Sequence, residues 1–293
     1  MIDFRKPELS DAKWIRDILK NSGFMTSEAC FGNMYIWCEG YDCTIANIDG
    51  FLICKVKDSY TYPVGKGERP DSILKLMEQD SKQRGFGNLK IHCIEDTLKE
   101  NMIEKFADTF DFEENRDGFD YIYSVEKMSS LSGKKYHSKR NHISFFENNF
   151  DWTYETMTPE NAKECLEFSE YWNKTNQEKI ETGTDRELVA IHRALENFEE
   201  LEFVGGILRV QGEIVAYTFG EAINDKLFCT HVEKAIPDIR GSYPMINREF
   251  ARNTINNFEY VNREEDLGIP GLRRAKESYY PEILLKKYNA VKR

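Results

Sequence analysis

Apolar and polar positions alternate along this chain with two periods, and the periods change in the same order twice. In the first half a 3.6-residue period predicts helices over Ser10–Asn21 and Glu28–Trp37. A period of two then predicts strands over Cys43–Ile48 and Phe51–Lys57. These flank Asp49-Gly50, a strong two-residue hairpin signal. A strand over Tyr60–Val64 completes a meander. Helix Asp71–Arg84, strand Leu89–Ile94, helix Asp96–Phe106 and strand Tyr121–Val125 follow.

The second half repeats that order. Helices over Pro159–Asn176 and Asp185–Glu199 precede strands Phe203–Val210, Ile214–Glu221 and Lys226–Glu233, turned by Gln211-Gly212 and Asn224-Asp225. Helix Pro244–Asn256, strand Glu259–Asn262, helix Leu272–Tyr279 and strand Glu282–Asn289 close the series. The duplication rests on element order, not on residue-level repeats. It predicts two α/β units, residues 1–126 and 151–293, with a helix over residues 127–150 bridging them.

One stretch carries more chemistry than the rest. Asn262–Pro281 reads NREEDLGIPGLRRAKESYYP and packs four acids and four bases around a Gly-Ile-Pro-Gly turn. Gly268, Pro270 and Gly271 stop any preceding helix, and Leu272–Tyr279 restarts one. On it Arg273 and Lys276 lie three apart, as do Arg274 and Glu277. A built polar site and a salt-bridged loop that merely closes the fold account for this composition equally well.

Composition narrows the setting. With 293 residues, 40% apolar and 31% charged, the chain suits an ordinary globular protein of about two domains. There is no run of about eighteen apolar residues and no signal-like start, so a cytoplasmic location is expected. Seven cysteines occur singly, with no CxxC or metal-spaced pair, and read as reduced, mostly buried thiols; no metal is expected. A net charge of −11 argues against DNA or indiscriminate nucleic-acid binding. Ser132–His142 breaks that trend with four Lys/Arg and no acid. Lys135, Lys139 and His142 share one helical face beside Arg140, so the segment either pairs with acids of this chain or contacts phosphate, such as a tRNA acceptor stem.

Meander followed by alternating helix and strand resembles the Gcn5-related N-acyltransferase (GNAT) fold, doubled. VEKMSSLSGKKYHSKRNHISFFE, DIRGSYPMINREFAR and VNREEDLGIPGLRRAKESYYPEILLKKY are similar to the soluble bacterial family related to the C-terminal domain of phosphatidylglycerol lysyltransferase. That family is itself similar to Fem-type transferases that use aminoacyl-tRNA. The resemblance implies transfer of an aminoacyl or acyl group to an amine or hydroxyl acceptor, a small molecule or peptide.

In such folds the strand at Lys226–Glu233 splays from the one at Glu259–Asn262, and the donor enters the gap. The acetyl-CoA version of the following loop is Gln/Arg-x-x-Gly-x-Gly/Ala. Counted from Arg240, its glycines fall on Tyr243 and Met245, too large for backbone amides to close on a pyrophosphate. Coenzyme A is therefore the weaker candidate donor and an aminoacyl-tRNA end the stronger; the residues fix no cofactor. Gly271-Leu272-Arg273-Arg274-Ala275-Lys276 matches a Fem-like Gly-Leu-x-x-x-Lys element, which implies that Lys276 stabilises developing negative charge. Asp266 is the candidate proton acceptor, with Glu264 or Glu265 beside it. Arg240, Arg273, Glu265 and Asn262 are the candidate substrate-binding residues. Arg240 alternatively pairs with Asp238 or Glu249.

Other groups weigh less. His231 in FCTHVEKA reads as a satisfied core histidine ahead of a general base, His92 has no visible ligand partner, and Cys229 has no histidine at a recognisable spacing. Absence of a Ser-His-Asp order, a P-loop and a GxGxxG fingerprint removes support for hydrolase, NTPase and dinucleotide readings. A transferase leads; a non-catalytic binding fold and an RNA-binding module remain as alternatives.

Overall fold

The computed structural model describes residues 1–65, 70–176 and 184–293. The first half runs α1 (Ala12–Leu19), α2 (Phe31–Tyr41), β1 (Cys43–Ile48), β2 (Phe51–Val56), β3 (Ser59–Thr61), β4 (Val64–Gly65), α3 (Pro70–Gln83), β5 (Lys90–Glu95), α4 (Asp96–Phe106), β6 (Phe110–Glu114) and β7 (Asp120–Ser124). Two helices follow, α5 (Val125–Ser130) and α6 (His137–Asn149). The second half runs β8 (Trp152–Thr156), α7 (Pro159–Asn176), α8 (Thr184–Glu196), β9 (Val204–Val210), β10 (Glu213–Ala222), β11 (Leu227–Ala235), α9 (Ser242–Asn253), β12 (Tyr260–Asn262), α10 (Pro270–Glu277), β13 (Ile283–Leu285) and β14 (Lys287–Lys292).

These elements build two mixed sheets, ordered β1-β2-β3-β5-β14-β6, with β4 beside β2, and β13-β7-β12-β11-β10-β9-β8. Each sheet is a meander that continues through one parallel crossover, β3 to β5 by way of α3 and β11 to β12 by way of α9. The predicted hairpins form where the turn residues allow. Asp49 and Gly50 both take positive φ, as do Gln211 and Gly212, the backbone a two-residue turn of matching twist needs.

Apolar residues on both faces of the strands explain the layering. In β2, Leu52 and Cys54 face one core while Ile53 faces another; in β10, Tyr217 and Ala216 divide the same way. A strand covered on both faces loses its polar alternation, so FLIC reads as a continuous apolar run. The central core takes residues from α1, α2, β1 and β2 and from α7, α8 and β9–β11, so both sheets share it. Helices α3 and α4 cover the far side of the first sheet, and α5, α6 and α9 that of the second.

Two findings depart from the sequence reading. First, the halves exchange strands. β7, made with the first half, pairs with β12 and β13 in the second sheet, while β14 pairs with β5 and β6 in the first. The sheets therefore do not follow the boundaries 1–126 and 151–293. Second, residues 127–150 form no single bridging helix: Leu131 and Gly133, both at positive φ, break the segment into α5 and α6, which pack on α9 of the second half. β6, β8 and the division between β13 and β14 were also not anticipated.

The exchange is held by a buried ion cluster. Lys287, at the start of β14, places its ammonium 2.8 Å from Asp120 Oδ1 at the start of β7 and 2.7 Å from Glu28 Oε2. Asp120 also accepts from Ser27 N at 2.7 Å and Asn262 Nδ2 at 2.9 Å. Both crossing strands are thus anchored at one point.

Candidate functional site

β11 and β12 stay paired only from Leu227 to Cys229, opposite Tyr260 to Asn262. Beyond that β11 parts from β12 while staying paired with β10, and a cleft of about 960 Å³ opens between the two halves. Thr230, His231, Glu233 and Lys234 of β11 line it, with Tyr243 and Pro244 of α9, Arg263–Glu265 of the loop after β12, and Lys276 and Tyr279 from the α10 region. The first half supplies Glu28, Trp37, His92 and Cys93 among others.

Lys276 is 8% exposed, and its ammonium donates to the carbonyls of Arg263, at 2.5 Å, and Glu265. Burial pulls its pKa down, against the pull of Glu265 and Glu264. An ammonium has three donors, so one remains beyond these two bonds. Glu265 lines the cleft beside it, and burial raises its carboxyl to about 7. Lys139 also faces the cleft, donates to Ser278 Oγ at 2.7 Å, sits 3.9 Å from the centre of the Tyr279 ring, and is lowered to about 8 by burial.

Other sequence candidates are placed elsewhere. Asp266, expected to accept a proton, is fully buried and absent from the cleft lining. It accepts from Tyr121 Oη at 2.6 Å, Arg273 Nε at 2.9 Å and Nη2 at 2.8 Å, Arg116 Nη1 at 3.1 Å and Gly268 N at 2.9 Å. Burial opposes its charge, but these donors hold the carboxyl well below the usual range, the wrong direction for a base. Arg273 pairs with Asp266 and with Asp117 at 2.8 Å and is absent from the cleft lining. Arg240 is exposed, stacked 4.4 Å over the Phe145 ring instead of paired with Asp238 or Glu249. Asn262 is fully buried, donating to Met25 O and Asp120 and accepting from Glu264 N, a structural clasp and not a substrate contact. Lys135 is exposed over the rings of Tyr136 and Tyr280, and Arg140 caps the carbonyls of Leu131 and Gly133. Of the three basic candidates only Lys139 reaches the cleft.

The loop before α9 is pinned to α6. Gly241 has φ +95, and a Cβ there would lie 2.4 Å from His142 O and 3.0 Å from Phe146 Cβ. Only glycine fits so close to another backbone, so this glycine serves helix packing.

Several cleft residues were not anticipated as a group. Arg263 pairs with Glu233 at 3.0 Å, lies over Tyr123 and Tyr279, and keeps Nη1 without a hydrogen-bond partner. His231 stands between two carboxylates, Nδ1 2.9 Å from Glu264 Oε1 and Nε2 3.0 Å from Glu221 Oε1. Burial opposes its charge, yet Cys229 and the two glutamates push its pKa well up. Cys229 Sγ lies 3.7 Å from His231 Nδ1, so the cysteine does have a histidine beside it. His92, which reads as partnerless in sequence, meets Ser59 Oγ at 2.9 Å; burial lowers it to about 4. The i,i+2 spacing of Cys229 and His231 was the available signal; their partners Cys30, Glu221 and Glu264 come from other elements.

Two meander-and-crossover sheets with a cleft at the diverging strands define a tandem GNAT-like protein. A tandem GNAT protein from the clavulanic acid biosynthesis pathway superposes with a TM-score of 0.50 at 8% identity, over 99% of this chain and 98% of that one. The chain itself belongs to the family described as phosphatidylglycerol lysyltransferase, C-terminal, which it matches over residues 20–291. A conserved protein of unknown function from Bacteroides thetaiotaomicron VPI-5482 is 38% identical, with a TM-score of 0.93 and full coverage of both chains. The C-terminal domain of an Agrobacterium fabrum protein assigned as a lysylphosphatidylglycerol synthetase has the same fold, with a TM-score of 0.69 at 15% identity over 97% of this chain and 92% of that one. The family relates this chain to aminoacyltransferase domains. No helix among the described residues is long and apolar enough to cross a membrane.

Proposed function

We propose that this protein transfers an aminoacyl or acyl group from a carrier ester to an amine or hydroxyl acceptor held in the cleft between its halves. The observation that carries this reading is the buried Lys276 ammonium beside Glu265, whose carboxyl is pushed up to about 7 by burial, where β11 parts from β12. An attacking amine adds to the ester carbonyl, the carbonyl oxygen gains negative charge, and the carrier hydroxyl leaves as the new bond settles. Lys276 supplies a positive donor toward that oxygen, and Glu265 accepts the proton shed by the nucleophile and returns it to the departing carrier oxygen. Lys139 and Arg263 offer cationic groups for a phosphate-bearing donor such as an aminoacyl-tRNA end.

A second reading has its own observation. Because Lys276 already donates to two loop carbonyls, it could serve only to fix Arg263–Glu265, leaving a cleft that binds a small amino compound without turnover. One experiment separates them: purified protein incubated with aminoacyl-tRNAs and acyl-CoAs, with mass detection of transferred groups. Transfer from an aminoacyl-tRNA is expected, and Lys276→Met is expected to lower it about 10²–10³-fold, the scale for losing one oxyanion donor. Coenzyme A at a hundred times its Kd would stabilise a binder by about 2.7 kcal/mol. A thermal shift of that size, or transfer that survives Lys276→Met, refutes the assignment.

A further inference from the structure

Cys30, Cys229 and His231 bring two thiols and an imidazole nitrogen within 4.8 Å of one another, all buried. Glu264 is not part of that group and would have to move toward Cys30 to complete a fourth corner. Its Oε1 lies 2.9 Å from His231 Nδ1 and 3.9 Å from Cys229 Sγ, and Cys229 Sγ lies 3.7 Å from His231 Nδ1. In tetrahedral zinc sites with metal–sulfur bonds near 2.3 Å and metal–nitrogen or metal–oxygen bonds near 2.0–2.2 Å, neighbouring donors stand about 3.4–3.8 Å apart. The 3.7 Å contact to sulfur already matches, and the 3.9 Å one lies slightly beyond that range. The nitrogen–oxygen contact is a hydrogen bond and would open by roughly half an ångström as its proton left.

The surroundings are those of ligands held for a cation. The second nitrogen of His231 faces Glu221 Oε1 at 3.0 Å, the carboxylate–imidazole pairing that orients metal-bound histidines. Glu221 reaches it because residue 32 is glycine: a Cβ there would stand 2.3 Å from Glu221 Oε1. Asn33 Nδ2 donates to Glu264 Oε1 at 3.1 Å. His231 is itself the extra residue of a bulge, for Phe219 pairs with Val232 and the next residue, Gly220, with Thr230. Bulges of this kind re-aim a side chain at a site. Glu264 is held at φ +57, a costly conformation for this residue type, with its amide fixed by Asn262 Oδ1 at 2.7 Å. Cys30 occupies the N-cap position of α2, its thiol making no capping bond there. The donors thus come from both halves, on elements each constrained independently.

We propose that Cys30, Cys229, His231 and Glu264 bind one zinc ion, fastening the two halves at the wall of the cleft. Two soft thiolates, an imidazole and one carboxylate are a set that zinc takes tetrahedrally. Binding would release both thiol protons and the Nδ1 proton to solvent, leaving Nε2–H to donate to Glu221, so affinity rises with pH. Glu264 and His231 line the cleft, so the ion would face it on one side.

The test uses the untagged full chain, purified without chelator, given stoichiometric Zn²⁺, desalted and analysed for metal. About one zinc per chain is expected. Glu221→Gln, which keeps all four ligands, is expected to weaken zinc about 10–100-fold. Cys229→Ser should abolish retention, while Cys43→Ser, on β1 and hydrogen-bonded to Cys54 instead of the cluster, should leave it unchanged. Since Cys229→Ser could fail to fold, Co²⁺ replacement in the unaltered chain gives a second readout. Intense tetrahedral d–d bands with a thiolate-to-cobalt charge-transfer band support the site. Less than about a tenth of an equivalent of zinc retained, retention equal in folded Cys229→Ser, or bound cobalt without the charge-transfer band overturns it.

Discussion

Lys287→Met tests whether the crossing strands are fastened where the structure puts the fastening. Lys287 is 1% exposed and bridges Asp120, also buried, to Glu28. Its pKa is raised well above the usual value: burial opposes the charge, and Asp120 and Glu28 more than offset that. Methionine fills similar volume but leaves two carboxylates facing each other without a cation. Removing one partner of a buried pair costs about 3–5 kcal/mol, or roughly 6–20 °C in Tm at the 2–4 °C per kcal/mol typical of large domains. Urea and thermal unfolding at pH 7.5, followed by circular dichroism, read the loss directly.

The pH dependence makes the test specific. In the native protein Glu28 is held down to about 2: burial would raise it, but Lys287 overrides that. A lowered carboxyl adds stability that is complete above its ordinary pKa and is lost as pH falls toward 2. In Lys287→Met the same carboxylates resist ionisation, so protons relieve them as pH drops from 7.5 to 5. The deficit should therefore shrink, by up to about 1.4 kcal/mol per pH unit for each carboxyl that protonates. Asp120→Asn in the same chain should recover part of it. A loss below about 1 kcal/mol, or a deficit that widens in acid, refutes the reasoning.

Asp266→Asn should cost about 3–5 kcal/mol in urea unfolding, because it strips the charge from a buried acceptor of five hydrogen bonds. The pH profile of any transfer activity should keep its shape, since Asp266 stands outside the cleft; loss of a limb near neutrality would restore it as a base. Glu265→Gln probes the opposite case. A carboxyl raised to about 7 is favourable below its ordinary pKa, and that stability is lost as pH rises through 7. The variant should match the native Tm near pH 4.5 and exceed it at pH 8, and an equal or lower Tm at pH 8 sinks the assignment.

Most elements were legible because periodicity reports which faces of a segment are buried. Asp49-Gly50 and Gln211-Gly212 announced their hairpins through backbone preference alone. Partnership between strands is a different quantity. The pattern in Asp120–Ser124 says that both faces are covered and nothing about which sheet covers them, so the exchange of β7 and β14 went unseen. The site followed the same rule. Lys276 lines the cleft, while Arg273, three residues earlier, turns to Asp266. Both grip the loop between Arg263 and Gly268 from opposite sides, and sequence spacing does not say which grip faces the ligand. The cluster around His231 escaped because its members lie far apart along the chain.

The crossing of β7 and β14 has a consequence for biosynthesis. The first sheet has a slot between β5 and β6 that only residues 287–292 can fill, and the ribosome makes them 173 residues after Glu114 closes β6. At about 5–20 residues per second, the amino-terminal sheet waits roughly 9–35 s with two raw edges exposed. On this topology the first sheet closes only once residues 287–292 have emerged.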